Sequence, residues 1–396
     1  MFKNFLDIGS ITTSRNLKEI KLERAIRYAD NDPIELWLNN LLCLNATDIE
    51  RIFDGFPHPK DCELYLVNRD TLFSYNKGSE MFLNKVMSLF VSSHYKNSPN
   101  DLQLLSDAPA HSIYVLIKSL DKENTKGIPE IYAAIQVCEE GGIGKDVVLN
   151  NSKRGYKPSG DLIPWTMSEN FQDNEFPNMV GVRIVRIATH PDAQRMGYGS
   201  RAMQLLSDFY EGKIVNLNEV TSTNDDASKA KKNIIEENIL STEMIKPKKK
   251  LKPLLSSLSE VKPSYIHWLG TAFGLTKELY NFWKKNNFDL IYLKLSENDI
   301  TGEHTCIMLK PLRDDDITYS NQVITHEKWL FSFVNDFKKR FLSLLGYEFR
   351  TLSVKLALSL LDAQLTSTTK VDDDELENDE QSKSINLLCT KVNKKN

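Results

Sequence analysis

The stretch RIVRIATHPDAQRMGYGSRAMQLL, residues 183–206, constrains this chain more than any other. The run from Val182 to Thr189 is β-branched and apolar and reads as a strand. A proline-containing turn follows, and Gln194-Arg195-Met196-Gly197-Tyr198-Gly199 leads directly into a helix over 199–210 with Ala202, Leu205, Leu206 and Phe209 on one face. Glycines in such a turn let the backbone pass close to a ligand and aim its amides inward. The first helical turn carries unpaired N–H groups and a partial positive charge, so a phosphate is a natural occupant. A lone Gly-x-Gly before a helix also has a bland reading, a tight strand-to-helix turn that binds nothing. No GxxxxGK[ST] phosphate loop occurs anywhere in the chain.

The neighbouring segments extend the pattern. Residues 79–95 place Phe82, Val86, Leu89 and Phe90 at helical spacing. Residues 113–118 and 131–138 read as strands, joined by a polar connection with Gly127 and Pro129. A short apolar run at 266–269, a helix over 276–286 and strands at 288–295 and 304–309 follow. Strands alternating with helices predict an α/β protein with one central sheet.

At 396 residues the chain has room for two or three domains. Residues 216–262 are polar, charge-dense and poor in aromatics, and are expected to form a flexible insertion. The tail from about residue 366 carries VDDDELENDEQ, an acidic block that repels itself and stays solvated. The formal net charge of -4 excludes a uniformly basic nucleic-acid-coating protein but not local basic patches. No apolar run approaches the roughly 20 residues that span a bilayer, and the amino terminus does not read as a secretory signal. Five cysteines lie far apart with no CxxC pair, which argues for a reducing compartment and against a disulfide framework or a zinc site. No metal is expected.

The spacing Q/R-x-x-G-x-G/A between a strand and a helix resembles the pyrophosphate loop of the GCN5-related N-acetyltransferases. That resemblance implies their α/β fold, a mixed central sheet flanked by helices, and acetyl-CoA as cofactor. Main-chain groups of Ile187, Ala188 and Thr189 would line the pantetheine arm; Gln194, Arg195, Met196, Gly197, Tyr198, Gly199 and Ser200 would hold the pyrophosphate. Other segments narrow the likeness. Residues 65–111, the string WLGTAFGLTKELYNFWKKNNFDLIYLKL, ITGEHTCIMLK, RAIRYADNDPIELWLNNLLCL and KRFLSLLGYEFRTLSVKLALSLL all resemble the RNA cytidine acetyltransferase family, over roughly residues 17–361.

The family makes N4-acetylcytidine in rRNA and tRNA. Membership would imply those RNAs as partners, an RNA-guide or tRNA-adaptor protein, a homodimer, no membrane, and residence in the nucleus and nucleolus. It would also imply use of ATP, although the family's amino-terminal helicase-like module and its P-loop are missing here. The implied organisation is a remnant of the preceding region at 1–60 and an acetyltransferase domain at 61–215 and 263–312 around the insertion. A helical RNA-binding-type region at 313–365 and a disordered tail at 366–396 complete it. Two rivals stay open: an acetyltransferase acting on a protein or small amine, and a catalytically silent RNA-binding scaffold.

The exocyclic amine of cytidine is a poor nucleophile, so transfer needs a proton acceptor and charge stabilisation at the thioester carbonyl. His94 closes a helix ahead of an Asn/Ser/Pro turn and is the first candidate for base or substrate positioning; a helix-capping histidine is the alternative. Arg183 and Arg186 are three apart on a strand and so point to opposite faces; Arg186 is favoured for phosphate or carbonyl contact, with a structural ion pair the alternative. His111, His190 and the Glu303-His304 pair read first as structural. Lys285 closes the second cofactor-side helix, where the family has a basic residue for CoA; a solvated lysine is the alternative. Trp283 occupies the place where many enzymes of this fold carry a tyrosine acid, and an indole N–H is no useful acid. Phe341, Tyr347 and Phe349, interleaved with basic residues over 339–350, offer base stacking or plain core. The KPKKKLKP run at 246–253 reads as a solvated linker, a phosphate contact or a nuclear-import signal.

Overall fold

A computed structural model describes residues 26–46, 49–52, 55–94, 98–120, 127–156, 158–214, 251–312, 317–319, 322–324 and 326–361. In chain order its elements begin with α1 (Pro33–Leu41), β1 (Cys62–Val67), α2 (Arg69–Leu72), α3 (Lys77–Ser93), α4 (Pro99–Asp107), β2 (His111–Lys118) and β3 (Ala133–Gly141). Then come α5 (Lys145–Arg154), α6 (Leu162–Phe171), β4 (Val180–Thr189), α7 (Tyr198–Tyr210), β5 (Leu255–Ser257), β6 (Trp268–Gly274) and α8 (Lys277–Lys285). The chain closes with β7 (Asp289–Glu297), β8 (His304–Pro311), a hairpin of β9 (Ile317–Tyr319) and β10 (Gln322–Ile324), α9 (His326–Leu344) and α10 (Val354–Leu361).

The elements divide into two compact units. One comprises Met1–Ile135, Arg186–Gly199 and Asn216–Glu260; the other comprises Gln136–Val185, Ser200–Val215 and Val261–Asn396.

In the first unit β1 pairs antiparallel with β2, from Cys62↔Lys118 to Leu66↔Tyr114, and with β5, from Tyr65↔Ser257 to Val67↔Leu255. The helical spacing of α3 drives Phe82, Val86, Leu89 and Phe90 into one core with Val67, Val115 and Ile117. Asn76 caps the helix by accepting from Gly78 N–H at 3.4 Å, and His94 ends it. Strand β5 corrects the expectation for residues 216–262. Leu254 and Leu255 pack on the core and Leu258 is buried, so the carboxy-terminal end of that polar stretch carries enough apolar surface to extend the sheet. The Thr71 hydroxyl ties it down further by donating to Lys252 O at 2.8 Å. Residues 215–250 lie outside the described residues.

In the second unit β4 and β6 run parallel, while β6–β8 and β8–β7 are antiparallel, which makes the sheet mixed. Gly181 is what allows β4 to lie against Trp268: a Cβ there would sit 2.0 Å from the indole. Ile163 and Met167 of α6 and Trp329, Leu330, Phe333 and Val334 of α9 cover Trp268, Ile291, Ile307 and Leu309. The helical character expected of residues 313–365 holds for α9 and α10, with the β9–β10 hairpin preceding them. No helix among the described residues is long and apolar enough to cross a membrane.

Candidate active site

The strand-to-helix stretch folds as its residue types dictate. The parallel ladder between β4 and β6 runs only from Gly181↔Trp268 to Ile184↔Thr271. The main chain of Ile187, Ala188 and Thr189 therefore lies past the end of that ladder, while the Ala188 side chain is buried in the first unit's core. His190 then locks the turn. Its Nδ1 accepts from Asp192 N–H at 3.2 Å, which leaves Nε2 to donate to Glu50 O at 3.0 Å. With both nitrogens occupied and the ring 5% exposed, His190 is a loop-stabilising residue.

A single 3-10 turn over Pro191–Ala193 follows, and Gln194 is extended. Arg195 and Gly197 take left-handed backbone conformations, φ 63° and 95°, and α7 starts at Tyr198. Residues 194–197 are exposed. A Cβ on Gly197 would meet only Pro59 Cγ, at 3.7 Å, so space above this glycine is open and its demand is on the backbone angle. The Tyr198 side chain turns inward, 1% exposed, and its hydroxyl donates to Pro57 O at 2.5 Å. Tyr198 therefore offers a ligand its main-chain N–H at the helix start rather than its ring. An exposed loop with free backbone angles running into the first turn of a 13-residue helix has the donors and the dipole to receive a pyrophosphate.

The second cluster joins residues far apart in sequence. Arg186 Nη2 lies 2.8 Å from Asp101 Oδ2, and the arginine side chain is 9% exposed. Its Nη1 is buried and has no hydrogen-bond partner among the described residues. Asp101 also accepts from Ser98 N–H at 2.8 Å, one turn into α4. His94 shares this electrostatic environment. Burial, and then the Arg186 charge, push its imidazole down to about 4, against a smaller upward pull from Asp101. The ring is thus neutral throughout the physiological range, the form of an imidazole that can take up a proton. Burial raises the Asp101 carboxyl, but the Ser98 N–H and the Arg186 pair outweigh it and hold that group below the usual carboxylate range. His94 and Arg186 were legible as candidates from sequence. Asp101 was not, because nothing local links it to a strand residue 85 positions away.

Other candidates are placed elsewhere. Arg183 pairs with Glu140 at 2.5 Å in the second unit. His111 opens β2, its N–H donating to Ala108 O at 3.2 Å. His304 is buried in the second unit, Nδ1 donating to Lys294 O at 3.0 Å and the ring edge-on to Phe349, a sheet residue with a structural role. Lys285 is exposed in the last turn of α8, where its charge suits the helix dipole. Trp283 is core, packed against Phe273, Phe282 and Phe288. Phe341 and Phe349 are core as well, whereas Tyr347 is 74% exposed.

Comparison with known proteins supplies the family context. A family model described as "GNAT acetyltransferase 2" matches residues 85–313, which accords with the expected fold. One described as "Possible tRNA binding domain" matches residues 329–395, and "RNA cytidine acetyltransferase NAT10/TcmA, helicase domain" matches residues 3–45. A protein of Dictyostelium discoideum named RNA cytidine acetyltransferase is 50% identical over 388 residues, 95% of this chain and 36% of that protein. The human protein of the same name is 49% identical over 352 residues, covering 89% of this chain and 33% of its own length. One from Achlya ambisexualis is 49% identical over 338 residues, 85% of this chain and 89% of that protein. The chain spans about a third of the length of the first two of these relatives.

Proposed function

This chain belongs to the RNA cytidine acetyltransferase family, and from that membership we propose that it moves the acetyl group of acetyl-CoA to N4 of a cytidine in RNA. The observation that carries the proposal is the exposed turn at 194–197, with Gly197 at φ 95°, opening directly into α7. In this reading the main chain of Ile187, Ala188 and Thr189 aligns the pantetheine arm, and residues Gln194 to Ser200 hold the pyrophosphate.

The reaction itself sets what His94 and Arg186 do. The N4 lone pair forms a bond to the thioester carbon, and the carbonyl π electrons move onto oxygen. The nitrogen becomes acidic only as that bond forms, so a neutral imidazole suffices to take its proton. The oxyanion then collapses, the C–S bond breaks, and the departing thiolate takes a proton from solvent while the His94 imidazolium returns its own, giving CoA and N4-acetylcytidine. His94 is the proton acceptor, kept uncharged by burial and by Arg186. Arg186 stabilises the negative charge on the carbonyl oxygen.

RNA contact is assigned to the region matching the tRNA-binding description, with rRNA and tRNA as substrates, an adaptor selecting the site, and a nuclear and nucleolar location. ATP has no GxxxxGK[ST] loop to receive it within these 396 residues. Its use is assigned to the helicase-type domain whose description matches residues 3–45.

The test is calorimetric titration of the purified chain with acetyl-CoA, followed by RNA acetylation in the same preparation with and without ATP. Binding with N4-acetylcytidine formation supports the proposal in full. Binding without transfer supports the cofactor site and overturns unaided transfer by these 396 residues. Absence of binding overturns the assignment of the loop.

A further inference from the structure

We propose that Asp101 is a positioning residue for the transfer step: its carboxylate grips Nη2 of Arg186 and so presents Nη1 to the carbonyl oxygen of the substrate thioester. The inference rests on the reading above and adds a residue to it. An arginine facing a carboxylate commonly uses both arms of its fork, yet here it is Nη2 that meets Asp101, at 2.8 Å. The other arm, Nη1, is buried and without a partner among the described residues. A buried N–H left without an acceptor costs roughly 1–3 kcal/mol, and such groups mark places where a ligand completes the bonding. The acceptor that fits is a carbonyl oxygen gaining negative charge, since a charge-assisted bond formed as the oxyanion grows repays that cost during the reaction rather than before it.

Asp101 is itself held in place. Ser98 N–H donates to its Oδ2 at 2.8 Å, which fixes the carboxylate against the start of α4. Arg186 consequently cannot swing toward solvent, and its side chain is 9% exposed. The arrangement also couples the arginine to the base. Burial first, and the positive charge second, keep His94 neutral at rest; the charge is offset as the oxyanion develops, so the imidazole gains proton affinity when the amine proton must leave.

Asp101→Asn tests this directly, because an asparagine oxygen still accepts from Ser98 N–H while the ionic grip on Arg186 is gone. The expected result is acetyl-CoA affinity near that of the parent chain, kcat for RNA acetylation lower by about 100-fold with KM little changed, and a His94 imidazole that titrates lower than in the parent when followed by NMR. Asp101→Glu should restore part of kcat. Ser98→Ala, which keeps the main-chain donor, should match the parent. A folded Asp101→Asn chain that transfers at the parental rate overturns the proposal. If the parent chain makes no N4-acetylcytidine under any condition, the functional reading fails instead. The titration then decides the present point alone, and an unmoved His94 in Asp101→Asn overturns it.

Discussion

Tyr132 and Tyr198 stack face to face, with ring centroids 5.0 Å apart and planes 12° from parallel. Tyr198 is also the first residue of α7, so the turn at 194–197 is anchored at its far end by an aromatic pair. His190 anchors the near end through Asp192 and Glu50. A loop with left-handed residues at Arg195 and Gly197 is thus held at both ends by buried side chains. Tyr198→Ala should cost about 3–5 kcal/mol of stability, as for other large buried aromatics, and weaken acetyl-CoA binding through the disordered turn. Tyr198→Phe keeps the stack and loses only the bond to Pro57 O, so about 1 kcal/mol is expected. Denaturant melts of both variants check the pair; equal losses would show that stacking contributes nothing.

Gly197 tests the loop more sharply. Gly197→Ala places a methyl in open space, 3.7 Å from Pro59 Cγ, but forces a non-glycine residue to φ 95°. The cost should be roughly 1–2 kcal/mol from the backbone alone, with acetyl-CoA binding weakened and still measurable. Gly197→Glu adds a carboxylate where the pyrophosphate is proposed to sit and should abolish binding. Calorimetry on the two variants separates strain from charge, and normal affinity in Gly197→Glu would remove the cofactor assignment.

His94 carries a signed pH dependence. Its imidazole titrates at about 4 in the folded chain against 6.5 for an unperturbed histidine, owing to burial and then to Arg186. Between those values the unfolded chain takes up the extra proton. The contribution to stability is therefore whole above about 6.5 and declines as the pH falls toward 4. His94→Gln should lose less stability than the parent between pH 7 and pH 5. For catalysis, His94→Ala should bind acetyl-CoA normally and transfer about 100-fold or more slowly. Equal transfer rates would leave His94 with no chemical role.

Asp289 titrates in the opposite sense. Burial pushes its carboxyl up to about 6, against the pull of Lys338 and Lys284. Here the folded chain holds the proton that the unfolded one releases, so stability is gained as the pH falls from 6 toward 3.8 and lost as it rises through 6. Asp289→Asn imitates the protonated acid and should stabilise the second unit by about 2 kcal/mol at pH 8, with little effect at pH 4. A variant equally stable at both pH values relative to the parent would show that the buried carboxylate carries no penalty.

Much of this was legible in the chain. Apolar periodicity located α3, β2, β4, α7, α8, β7 and β8 to within a few residues, because each buries one face and the sequence must supply that face at period 2 or 3.6. The glycines and the proline between β4 and α7 marked the turn for the same reason: few residues tolerate its backbone angles. What escaped was structure whose cause is not local. α6 begins after Asp161 at φ 43°. β5 hides in a stretch whose composition looks unstructured, since three residues gain their order from β1 rather than from themselves. The resemblance, not periodicity, named the chemistry.

His94 and Arg186 could be nominated from their residue types and from the ends of their elements, but whether they act together could not. Helix α3, the start of α4 and the end of β4 are separate in sequence, and only packing brings a histidine, an aspartate and an arginine into one electrostatic neighbourhood. The sequence by itself determined most of the elements, the turn and the family, because local backbone sterics and one-sided burial are written residue by residue. Tertiary structure alone decided which arm of Arg186 is gripped, which is spare, and how far down His94 is driven. Those depend on desolvation and on charges separated by several ångströms in space and scores of residues in the chain.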